Sequence, residues 1–150
     1  MKLCLAPFLA ALFVLTLGGC SRPESSGGGH VHRAPHGGTL VEVGQHAYNI
    51  ELVHDAAAGK LTAYVLDGHA ENFIRITSPA IELVAFTGGE KRALTLRAVA
   101  NPATGETVGD TSQFEAQADW LKSTGEFPGE FPAIDIRGTK FQNVALYLKK

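Results

Sequence analysis

From Thr39 onward the chain alternates apolar and polar residues with a period of two, in short runs separated by glycine, proline and asparagine. That period is the signature of half-buried strands. It predicts strands over 39–43, 46–54, 60–67, 73–76, 80–86, 92–99, 112–117, 131–137 and 140–148. Turn signals fall between them at Ala58-Gly59, Gly88-Gly89, Asn101-Pro102 through Gly105, and Gly138-Thr139. Arg137-Gly138-Thr139-Lys140 reads as a two-residue hairpin, with glycine where a positive φ is needed. A helix of one or two turns is predicted only over 118–123, closed by Gly125. Pro128 and Pro132 predict that the segment carrying them lies at a sheet edge.

Eight or nine short strands at this spacing predict an all-β domain, an antiparallel β-sandwich of immunoglobulin-like kind, over residues 34–150. The length of 150 residues, with 45% apolar and 19% charged, suits one folded domain and excludes a disordered or multi-span chain. A net charge of −2 argues against nucleic acid as a partner, since phosphate binding calls for a basic face.

The first residues read as an address. Lys2 precedes an apolar run over 3–17 broken only by Thr16. Fifteen helical residues span about 22 Å, short of a hydrocarbon core of about 30 Å, so the run suits a secretory leader better than a transmembrane helix. Leu17-Gly18-Gly19-Cys20 resembles the lipobox of bacterial lipoproteins. The resemblance implies a signal peptide over 1–19, acylation of Cys20, and attachment to a membrane facing the periplasm. Ser21 after the cysteine implies the outer membrane rather than the inner. Two or three acyl chains anchor stably where one is marginal. Removing residues 1–19 takes away one basic residue, Lys2, leaving 12 basic against 15 acidic, a charge of −3. Residues 20–33, which include SRPESSGGG, then form a flexible tether.

All six histidines lie between positions 30 and 69. In an extended chain His30 and His32 project to one side, and Pro35 favours that conformation at Ala34. With His36 they form a cluster suited to Zn(II), Cu(II) or Ni(II), which take neutral imidazole. Both other cysteine-based and methionine-based options are closed: Cys4 and Cys20 lie in the leader and its cleavage site, and the one methionine is Met1. In strand 46–54 alternation puts His46, Tyr48, Ile50, Leu52 and His54 on one face, which should be buried, and Ala47, Asn49, Glu51 and Val53 on the other. His46 and His54 are then about 26 Å apart and cannot share an ion. Two hairpin registers are open. A four-residue loop pairs Asp55 with Lys60 and sets His46 opposite His69, with Cβ atoms about 5 Å apart. A three-residue loop with a glycine bulge separates them. The metal candidates are therefore His30, His32, His36, His46 and His69; His54 is expected to be structural, bonded to Asp55 or a backbone carbonyl.

The sequence offers little for catalysis. It has no Gly-x-Ser-x-Gly nucleophile turn, phosphate-binding loop, HExxH or calcium loop. Asp119 and Ser112 are expected to act as local caps. Trp120, Phe114, Phe127 and Phe131 suit a core before a ligand slot. No enzyme and no organic cofactor are expected.

Ala34-Pro35-His36-Gly37-Gly38-Thr39-Leu40, followed by Gly44 and Glu51-Leu52, resembles the Pro-His-Gly-Gly segment of periplasmic adaptors of heavy-metal efflux pumps of the resistance-nodulation-division type. The longer string PHGGTLVEVG…YNIELVHD…GKLTAYVLD resembles small bacterial lipoproteins of unassigned function. The chain lacks the helical hairpin and barrel segments of an adaptor, so the resemblance implies a metal-linked role for His36 and a domain type, not a pump component. Two expectations follow: a lipid-anchored periplasmic protein that binds, buffers or delivers divalent metal, beside a metal-efflux or other envelope protein; or an envelope interaction module with no metal role. In the first, affinity falls as pH drops through about 6.5, where free imidazole protonates.

Overall fold

The computed structural model describes residues 32–149; the expected leader, Cys20 and His30 lie outside them. The described residues form strands β1 (Thr39–Val43), β2 (Tyr48–Asp55), β3 (Lys60–Asp67), β4 (Ala80–Thr87), β5 (Glu90–Ala98), β6 (Gln113–Gln117), β7 (Phe127–Ile136) and β8 (Thr139–Leu148), with one 3₁₀ turn at Asp119–Lys122. All-β is therefore right, and the sandwich is corrected. The strands make one antiparallel sheet in the order β1-β2-β3-β6-β5-β4-β7-β8. Short β6 pairs with β3 on one side and with β5 on the other, so the ladder never divides into two sheets. The sheet curls until its ends approach, where the Lys149 amide donates to Thr39 Oγ1 at 3.0 Å. The result is a nearly closed, barrel-like sheet.

The interior is filled by the apolar positions of the alternation, among them Ile50, Leu52, Leu61, Val65, Leu83, Leu96, Phe114, Phe127 and Phe131. Each such side chain contributes about 1.5–3 kcal/mol relative to exposure. Phe114, Phe127 and Phe131 are core, and Trp120 packs edge-on to Phe127 with ring centres 5.5 Å apart.

Local turn chemistry holds. Arg137 and Gly138 both have positive φ, 53° and 83°, and join Ile136 to its partner Thr139, as a type I′ hairpin requires. The β2–β3 ladder runs from Tyr48↔Asp67 to Asp55↔Lys60, which is the four-residue-loop register.

Several expectations are corrected. His46 is not in a strand: Gly44, Gln45 and His46 all have positive φ and form the β1–β2 turn. Residues 73–76 make only isolated bridges, Leu66↔Phe73 and Ile76↔Thr111. β7 is interior, between β4 and β8, despite its two prolines; only Val84↔Glu130 and Ala85↔Gly129 link it to β4, so few of its N–H groups are needed there. The 3₁₀ turn follows Ala118 with no side-chain cap, and Asp119 instead accepts from Lys122 Nζ at 2.8 Å. Ser112 donates its hydroxyl to Glu106.

The second face of β2 also departs from expectation. Asn49 and Glu51 are buried together with Ile50 and Leu52. Residues before β1 and the segment after β3 cover that outer face. Asn49 Nδ2 donates to the carbonyls of Asp67 and Gly68, and both the His36 and Gly38 amides donate to Glu51 Oε1. An outer layer thus overlies β2 and β3, and it carries the histidines.

Candidate metal centre

Three turns and segments bring His32, His46 and His69 together. The β3 exit turn is shaped by Asp67, whose carboxylate accepts from the Glu71 amide at 2.9 Å and from Asn72 Nδ2 at 2.6 Å. The Asn72 bond is the main reason that the Asp67 pKa lies below its ordinary value. This turn presents His69. The β1–β2 turn presents His46, and Gly68 lets the two turns meet: a Cβ at Gly68 would run into the His46 carbonyl oxygen. Glycine is thus required there by close approach rather than by φ.

The chain ahead of β1 brings in His32. Its Nδ1 donates to the His69 carbonyl at 3.1 Å, and its ring centre lies 5.7 Å from that of His69 and 6.3 Å from that of His46. A carbonyl oxygen only accepts, so His32 Nδ1 carries the hydrogen and Nε2 holds the free lone pair. Glu42 does the same for His46. Its Oε1 accepts the His46 amide at 3.0 Å and its Oε2 lies 3.2 Å from His46 Nδ1. Oxygen acceptors behind Nδ1, with Nε2 left over, are the outer shell that metal-ligating histidines have.

As placed, no three His, Cys, Asp or Glu side chains among the described residues form a finished ligand set. Three imidazoles on one tetrahedral ion, with bonds of about 2.0–2.1 Å, would put ring centres about 5 Å apart. The His32–His69 and His32–His46 spacings exceed that by about 1 Å, and the His46 side chain is 71% exposed.

His36 does not join this group. Its Nδ1 lies 2.8 Å from Oε2 of Glu51, a carboxylate with no exposed surface, and its ring stacks on Tyr64 with centres 4.0 Å apart and planes at 16°. Phe73 closes over the pair at 5.7 Å from His36. His54 is structural: its Nε2 donates to the Leu121 carbonyl at 2.9 Å. His30 lies outside the described residues.

Sequence reasoning missed Glu42 and Glu51, the two carboxylates that orient His46 and His36. Glu42 stands four residues before His46, a signal available in the sequence. Nothing local to Glu51 announced its burial. Comparison with protein-family models, curated proteins and solved structures finds no match for this chain.

Proposed function

We propose that this is a lipid-anchored periplasmic protein that binds a divalent transition metal, Zn(II), Cu(II) or Ni(II), through His32, His46 and His69, and buffers or delivers it without catalysing a reaction. The observation that carries this reading is that His32 and His46 both hold Nδ1 on an oxygen acceptor and keep Nε2 free, next to a third imidazole. Histidine nitrogens suit these borderline ions better than Mg(II) or Ca(II), which take oxygen. His30 is an additional donor two residues away from His32, and His36 is not part of the set. Attachment through Cys20 would hold the site near the membrane surface, beside an efflux component or other envelope protein.

The test is calorimetric titration of the mature chain with each ion at neutral pH. Saturable one-to-one binding tighter than about 100 µM supports the proposal; this corresponds to about 5.5 kcal/mol. No heat with any of the three ions overturns it.

A second reading, an interaction module, draws on a groove of about 590 Å³ between β1 and β8, lined by Leu40, Val41, Leu146 and Tyr147 among others. These strands end the sheet order, so an extended segment of an envelope protein would add a strand at the β8 edge. Replacing His46 and His69, which do not border the groove, by alanine would weaken metal binding and leave such docking intact.

A further inference from the structure

A cavity of about 260 Å³ opens beside His36, on the outer layer rather than in the barrel, bordered by His36, Tyr64, Phe73, Asn101, Glu106 and Gln113. We propose that it binds a small organic cation, an alkylammonium or guanidinium group, with His36 Nε2 and Gln113 Oε1 as acceptors and Phe73 as the aromatic wall.

Three independent observations lead there. The first is the polarity of the free atoms. Glu51 accepts the Nδ1 hydrogen of His36, which in the neutral ring leaves Nε2 as an acceptor, and Nε2 has no hydrogen-bond partner among the described residues. Gln113 donates its Nε2 to Glu115 Oε1 at 3.0 Å, which leaves its own Oε1 as a second acceptor. Two unengaged acceptors at one cavity call for a ligand that donates.

The second is charge. Glu106 borders the cavity, and Glu51 and Glu115 stand behind its lining residues His36 and Gln113. Arg75 Nε lies 3.8 Å from Glu106, and Lys60 Nζ lies 3.1 Å from Glu115. Asp110 shares Arg75, 3.2 Å from its Nη1, so four carboxylates stand against these two cations, and the fully buried Glu51 faces only the His36 ring and main-chain amides. The phenol of Tyr64 reports the same field: burial first, then the charges of Glu115 and Glu51, push its pKa up, while Lys60 opposes them. A ligand ammonium on His36 Nε2 supplies the missing positive charge through the ring.

The third is Phe73. It is 46% exposed, one of three large apolar side chains left open among the described residues, and it stands at the cavity with Tyr64 and His36 behind it. Its bridge to Leu66 fixes the backbone, so the phenyl is held there rather than folded into the core. An aromatic face beside acceptors and net negative charge is the arrangement that binds organic cations. The volume is that of about eight or nine waters, which limits the ligand to a small molecule or the end of a longer one.

The experiment is a ¹H–¹⁵N NMR titration of the full mature chain with n-butylammonium and guanidinium chloride, with n-butanol as the neutral comparison and zinc chloride as a separate arm. Saturable shifts at the His36, Gly38 and Phe73 amides are expected with the cations, together with a shift of the His36 Nε2 resonance. The alcohol should bind at least about tenfold more weakly, and Phe73→Ala should weaken the cations by about three- to tenfold. Phe73→Ala is the informative variant because its side chain is open to solvent and its loss does not hollow the core. Equal binding of the alcohol would overturn the proposal in favour of an apolar slot. Zinc moving His36 Nε2 while both cations leave it unmoved would make it a metal ligand instead. Cations that bind Phe73→Ala as well as the native chain would remove the aromatic wall and the proposal with it. The metal reading at His32, His46 and His69 stands or falls separately.

Discussion

His32 Nδ1 donates to the main-chain carbonyl of His69 across 3.1 Å, tying the segment ahead of β1 to the turn after β3. The bond fixes the ring's tautomer and brings two imidazoles, 37 residues apart in sequence, within 5.7 Å of each other. The proposed metal centre depends on that contact more than on any hydrogen bond within the sheet.

Single replacement of His32, His46 or His69 by alanine should weaken zinc binding by about tenfold or more, one ligand in three being lost. His54→Ala should leave zinc affinity unchanged, because its Nε2 is spent on the Leu121 carbonyl. Glu42→Gln should weaken zinc by about tenfold, by loosening the orientation of His46. Calorimetry on the five variants and the native chain checks the set.

Gly68→Ala should destabilise the domain by about 1–3 kcal/mol and impair metal binding together. The added methyl meets the His46 carbonyl oxygen, so one of the two turns must move. Thermal melts give the first effect, and zinc titration at a temperature where the variant remains folded gives the second.

Glu51→Ala should cost about 2–4 kcal/mol, since it strands the His36 and Gly38 amides and the His36 ring hydrogen in a buried place. Glu51→Gln should cost less, about 1–2 kcal/mol, because its carbonyl can still accept the two amides. Its –NH₂ facing Nδ1 should move the ring hydrogen to Nε2, which ¹⁵N NMR of His36 reads directly. Denaturant unfolding gives the stabilities.

Acid should weaken the fold in a defined window. Burial works against ionisation of Glu106, but hydrogen bonds from Ser112 and Thr104 and the charge of Arg75 outweigh it and hold its pKa below the ordinary value. Asp67 is also held low, chiefly by Asn72. A carboxylate depressed in the folded state stabilises it fully above its unfolded pKa and loses that contribution as pH falls through the folded value. Stability should therefore be flat above about pH 5 and decline from about pH 4 downward. Glu106→Gln should lower stability at neutral pH and make the acid decline shallower. Urea unfolding from pH 7 to pH 3 measures both.

What the chain determined by itself was local. Alternation of period two marks seven of the eight strands nearly to the residue, because a side chain's face in a strand depends only on its neighbours. Arg137-Gly138 dictates its hairpin, since turns are closed by a few dihedrals, whereas the 56–59 loop left two registers open and the β2–β3 ladder selected the one that pairs Asp55 with Lys60. β7 was read short, starting at Phe131 rather than Phe127, because Pro128 and Pro132 weigh against a strand when seen alone.

Tertiary structure decided the remainder. Whether the strands split into two sheets or joined in one rested on the five residues of β6 finding both β3 and β5, distant pairings that no local pattern encodes. Glu51 stood on the face that alternation assigns to solvent; its burial came from His36 and Gly38 lying across β2. The same outer layer carried His32 to His69 and parted His36 from both. Composition and spacing could nominate histidines, but a ligand set is a matter of atoms within a few ångströms, and only the packed turns fix those distances.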